Sequence, residues 1–88
     1  MPGLFNLTIW KGAERLDDRK IFAKSIRGAL SIAGKMVEQH PLKQDIDFAS
    51  VRSLEDVNLI RRRYYDNGFP ISLWVKEEVN LDAVQDKI

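Results

Sequence analysis

"IRRRYYDNGFPISLWV", residues 60–75, is the stretch on which the fold turns. It follows "SLED" at 53–56, a serine with an acidic residue three positions on, the pattern of a helix start. From there Val57, Ile60 and Tyr64 fall on one side of a helix that runs to Asp66. Asn67 and Gly68 then read as its end, because these residue types take up the left-handed conformation past a last turn. Beyond them Phe69, Ile71, Leu73 and Val75 alternate with Ser72, Trp74 and Lys76, the two-residue rhythm of a strand over 69–79. Pro70 marks a strand entry or an edge strand.

On such a helix Arg61, Arg62 and Arg63 point in three directions, since successive residues turn by about 100°. Arg61 borders the inward side. Arg62 and Arg63 face solvent, with Glu55, Asp56 and Asp66 available as partners. The triplet therefore reads as a solvated, ion-paired helix end, with a partner-facing site as the alternative. The tyrosines read as core and rim residues, rings buried and hydroxyls wet.

Upstream, "LFNLTIW" at 4–10 alternates cleanly. Phe5, Leu7 and Ile9 face one way, and Asn6, Thr8 and Trp10 the other, which predicts a strand. "KGAERLDD" reads as a polar loop, and Asp17 or Asp18 can cap a helix. Phe22, Ile26, Ala29, Leu30, Ala33, Met36 and Val37 then recur at helical spacing and predict one long helix over 19–39, stopped by Pro41. "DIDFASV" at 45–51 is a weaker strand with Ile46 and Phe48 inward. At the end, "NLDAVQDKI" offers a short helix with Leu81, Val84 and Ile88 on one stripe.

The order is β-α-β-α-β with a short terminal helix, all in one domain spanning 1–88. The expectation is a two-layer α/β sandwich, with a three-stranded sheet carrying two helices on one face. Right-handed crossovers make its neighbouring strands parallel. A hairpin within 40–52 would instead give a ferredoxin-like α+β arrangement.

Composition narrows function. The chain has no cysteine and one histidine, so a disulfide framework or a transition-metal site is not expected. His40, beside a proline at a helix end, reads as exposed or as a cap favoured by the helix dipole. No apolar run is long enough to span a bilayer, and no basic leader opens the chain, so an intracellular, cytoplasmic protein without a membrane partner is expected. Neither a glycine-rich phosphate loop nor a nucleophile elbow is present, and no cofactor is implied. Residues 1–44 carry eight basic and four acidic side chains, and residues 45–88 six and nine. Such an asymmetry favours attraction within one chain or between copies.

Three features call for a partner. Trp10 and Trp74, joined by Leu4, are placed by alternation on the sheet face away from the core, where large apolar bodies need a cover. The cover is the terminal helix, another copy or another protein, or the bases of a single-stranded nucleic acid. Lys20, Lys24, Arg27 and Lys35 form a basic stripe on the first helix, and this stripe meets phosphates, an acidic protein surface or only solvent. Gly28 and Gly34 leave small-residue space on the same helix for another backbone.

The opening "MPGLFNLTIWKG" followed by "DDRKIFAKS" resembles the start of the small tautomerases, where an initiator Met precedes a catalytic Pro, a strand and a long helix. The resemblance covers residues 1–40 and implies an enzyme acting through a Pro2 amine freed of Met1. The residues themselves give a different expectation: a non-catalytic binding or regulatory module working through protein contacts, as a homodimer or on another protein. The alternative is nucleic-acid binding through the basic face of the first helix and the Arg61–Arg63 region.

Overall fold

The computed structural model describes residues 3–77. It is an antiparallel sheet with one helix laid across it, not a parallel α/β sandwich. The strands are β1 (Gly3–Lys11), β2 (Glu14–Ala23), β3 (Phe48–Ser53), β4 (Ile60–Asp66), β5 (Phe69–Pro70) and β6 (Val75–Glu77), and the helix is α1 (Ile26–Glu38). The sheet order is β2-β1-β3-β4, with β5 and β6 sharing the far edge of β4 and every pairing antiparallel.

The long helix expected over 19–39 is thus two elements. Residues 14–23 pair with β1 as the second arm of a hairpin, through the turn Gly12-Ala13, where Gly12 takes a φ of 57°. The polar stretch at 11–18 is therefore mostly strand. The helix starts only after Ser25, whose side chain accepts a hydrogen bond from the Gly28 N–H at 3.2 Å. It ends at Gln39, two residues before Pro41.

The second expected helix, 53–66, is absent. Ser53 does accept hydrogen bonds, from the Glu55 and Asp56 N–H groups, as a helix cap would. The chain instead closes a loop, with Leu59 N–H on Asp56 O and Ser53 N–H on Leu59 O, and returns as β4. Asn67 (φ 51°) and Gly68 (φ 88°) then form a two-residue hairpin turn, not a helix end. Each is in the left-handed region that such tight hairpins require. The hairpins lie at these three places and not within 40–52. The tautomerase-like order of strand then long helix is not what the described residues show, since a strand follows β1. Pro2 and the expected terminal helix over 80–88 lie outside the described residues.

The core is one layer between α1 and the sheet. Phe5, Leu7 and Ile9 of β1, Ile21 and Ala23 of β2, and Ala49 and Val51 of β3 meet Ala29, Ala33 and Val37 of α1, with Ile46 and Tyr65 at the margin. Two alanines at the helix contact let it approach the strands closely, since interiors pack to crystal-like density. Ile46 is inward as its pattern implied. Phe48 is not: Ala49 and Val51 take the core side of β3, which sends Phe48 to the opposite face. No helix among the described residues is long and apolar enough to cross a membrane.

Candidate functional site

All described elements other than α1 and a short 3-10 turn at Lys43–Asp45 belong to the sheet, and α1 covers one face. Strand alternation decides what the open face carries. From β1 come Leu4, Asn6, Thr8 and Trp10. Across the pairing stand Phe22, Lys20, Asp18 and Arg15 of β2, and Arg52, Ser50 and Phe48 of β3. β4 adds Ile60, Arg62 and Tyr64, and β6 adds Val75 and Glu77.

The centre of this face is aromatic. Trp10, Phe48 and Tyr64 sit directly opposite one another on three adjacent strands. The Trp10 and Phe48 rings are stacked, with centroids 5.8 Å apart and planes 13° from parallel. Phe48 and Tyr64 are also 5.8 Å apart, tilted by 49°. Cross-strand ring pairs of this kind stabilise a sheet by about 0.2–1 kcal/mol each. The Arg62 guanidinium lies 4.5 Å from the Phe48 centroid, donates to the Tyr64 hydroxyl at 3.3 Å and pairs with Glu77. Burial works against the Arg62 charge, but the Tyr64 hydroxyl and Glu77 outweigh it and hold the proton more firmly than usual.

Beside the rings a hollow of about 270 Å³ is lined by polar groups, among them Asn6, Thr8, Ser50, Arg15 and Arg52. Asn6, 3% exposed, organises it. Its amide nitrogen donates to Thr8 Oγ1 and Asp18 Oδ1, and its oxygen accepts from Lys20 Nζ at 2.6 Å. Among the described residues the face offers planar rings, the hydroxyl groups of Thr8, Ser50 and Tyr64, and four cations (Arg15, Lys20, Arg52, Arg62) against two carboxylates (Asp18, Glu77).

The structure separates several residues that the sequence grouped. Trp10 and Leu4 share the open face. Trp74 does not: it packs partly buried against the core, its ring 5.7 Å from the Arg63 guanidinium on the helix side. The segment between β5 and β6 breaks the regular alternation that would have carried its ring outward. The basic stripe also dissolves. Lys20 is on β2 and Lys24 in the turn before α1, leaving only Arg27 and Lys35 exposed on the helix. As strand residues, Arg62 faces the open side while Arg61 and Arg63 face the helix side. Phe48, Tyr64, Arg15 and Arg52 were not among the expected site residues. For Phe48 and Arg52 the signal is the alternation of Phe48, Ser50 and Arg52 against Ala49 and Val51, whereas Arg15 in a polar run and Tyr64 on a strand with two similar faces carry no such signal.

His40 is 7% exposed, so it is not a solvent-facing end group. Its Nδ1 accepts from the Leu42 N–H at 3.0 Å, and its Nε2 lies 2.8 Å from Asp17 Oδ2 on β2. Among the described residues no cluster of three His, Asp or Glu side chains is arranged to hold a metal ion. No protein-family model matches this chain, and no significant match is found among curated proteins or solved structures.

Proposed function

We propose that the protein is a binding module for single-stranded nucleic acid, which lies on the open face of the sheet. The observation that carries this reading is the row Trp10–Phe48–Tyr64 on three neighbouring strands, flanked by Arg15, Lys20, Arg52 and Arg62. Bases stack on such rings with about 1–3 kcal/mol each, whatever their identity. RNA-recognition sheets use aromatic residues on an open antiparallel surface in the same way. Thr8 and Ser50 supply hydrogen bonds to base edges, and the surrounding cations track the backbone.

The test is titration of the Trp74→Phe chain with an oligothymidylate, read by Trp10 emission at several salt concentrations. Saturable quenching is expected, with log K falling against log salt at a slope of about −2 to −3 for three or four phosphate contacts. Arg62→Met should make that slope shallower by about 0.7. Phe48→Ala should weaken binding by about tenfold to a hundredfold. Quenching that is absent at low salt, or indifferent to both substitutions, would end the proposal.

A second reading, contact with another protein or another copy of this chain, is favoured by the far edge of the sheet. Phe69, Ile71 and Leu73 are 72%, 65% and 79% exposed along one segment, more apolar surface than an isolated edge usually leaves bare. Light scattering distinguishes the cases for self-association. A mass twice that of the chain, returned to monomer by Leu73→Lys, supports the homodimer, and a monomeric parent chain removes it.

A further inference from the structure

On the covered side of the sheet α1 stops short of β4 and leaves a groove of about 550 Å³. Leu30, Gly34 and Lys35 of the helix form one wall, and Tyr65, Pro70 and Trp74 are on the other. The volume falls in the range of small-molecule sites. Among the described residues its charge is one-sided, with Lys35, Lys43 and Arg63 lining it against one carboxylate, Glu38. The Arg63 guanidinium lies near two rings, 5.8 Å from the Tyr65 centroid and 5.7 Å from that of Trp74. Its Nε donates to Ser72 O at 2.9 Å.

The site has the marks of being built. At Gly34 a Cβ would stand 3.7 Å from an Arg63 terminal nitrogen, so the missing side chain keeps the groove open beside the guanidinium. At Gly68, in the hairpin turn, the space is taken by the Lys43 stem at 3.4–3.5 Å, which sets that cation along the groove. Tyr65 is 7% exposed, and burial pushes its hydroxyl pKa up, with the neighbouring Arg63 guanidinium opposing that shift.

We propose that this groove binds a small organic anion carrying a planar ring, with the ring against Trp74 and Tyr65 and a phosphate or carboxylate on Arg63, Lys35 and Lys43. The site is on the opposite side of the sheet from the nucleic-acid platform and does not depend on it. The two requirements, ring and charge, are separable by probes. Phenyl phosphate and benzoate supply both, inorganic phosphate only the charge, and phenol only the ring.

The Trp10→Phe chain leaves Trp74 as its one indole. Titration with phenyl phosphate or benzoate should change Trp74 emission saturably, with inorganic phosphate and phenol at least tenfold weaker. Gly34→Leu fills the groove while keeping a good helix former in α1, and it should weaken binding at least tenfold with an unaltered circular dichroism spectrum. Amide NMR on the unsubstituted chain gives a second readout, with probe-induced shifts expected at Gly34, Tyr65 and Gly68. The proposal falls if neither ring-bearing anion binds saturably, if inorganic phosphate or phenol binds as tightly as phenyl phosphate, or if Gly34→Leu binds like its parent. The oligothymidylate titration reports through Trp10 alone, so the two results stand apart.

Discussion

Asp17 shows how much one side chain can hold. Its carboxylate accepts from His40 Nε2 and from Arg19 Nε, both at 2.8 Å, and from the Asp18 N–H. Because the Leu42 N–H already donates to His40 Nδ1, that nitrogen is bare and the imidazole proton sits on Nε2, facing the carboxylate. The His40 hydrogen bond is the main reason the Asp17 pKa lies at about 2 in place of 3.8, with burial opposing it and Asp18 and Arg19 assisting. A folded pKa below the unfolded one gives stability that is present above the unfolded value and is lost as pH falls through the folded value. Asp17→Asn should therefore cost on the order of 1–2 kcal/mol at neutral pH, allowing for partial solvent screening. Urea melts should show that gap mostly closed near pH 2, and a gap independent of pH would refute the assignment. Nothing local in "HP" announces this role, because the partner of His40 lies 23 residues upstream.

At the scale of elements, legibility followed contrast between the two sides of each segment. β1 was readable because Phe5, Leu7 and Ile9 alternate with polar groups and Trp10. The helix was readable between its serine cap and Pro41, although its start was placed too early. β4 was not, because Arg and Tyr occupy both of its faces and give no two-residue period, while Val57, Ile60 and Tyr64 fit a helix equally well. Asn67-Gly68 serves a tight hairpin and a helix end with the same left-handed backbone, so the turn could not arbitrate. Trp10 was placed correctly for the same reason as β1. Phe48 and Tyr64 were lost with the phase of β3 and the type of β4. The two glycines that shape the groove give opposite predictions. Gly68→Ala meets a φ of 88° and should destabilise by about 1–2 kcal/mol. Gly34→Ala, in a helix with ordinary contact distances, should stabilise by up to about 1 kcal/mol. Denaturant midpoints of the two variants against the parent test both signs at once.

Over the whole molecule, pairing is densest around β1, which has β2 on one side and β3 on the other. Amide hydrogen exchange should accordingly be slowest at Leu7 and Ile9, whose strand is paired on both sides under the helix, and fastest along β5 and β6 at the far edge. Exchange at Val75 slower than at Leu7 would contradict the strand order. The charge asymmetry of the sequence is not resolved by pairing one half with the other in the bridges seen here: Arg19 with Asp17, and Arg62 with Glu77, each join residues of the same half. What brings the halves together is the sheet, in which β3 of the acidic half docks on β1 of the basic half.

That arrangement has a consequence for how the chain is born. β1, translated before β3, ends up between β2 and β3, and its second border stays vacant until residue 53 has been added. At about 5–20 residues per second this interval lasts several seconds after the first hairpin is complete. Throughout it, each nascent chain exposes a bare strand border to its neighbours on the same message, so slower elongation through 24–53 should increase misassembly between siblings.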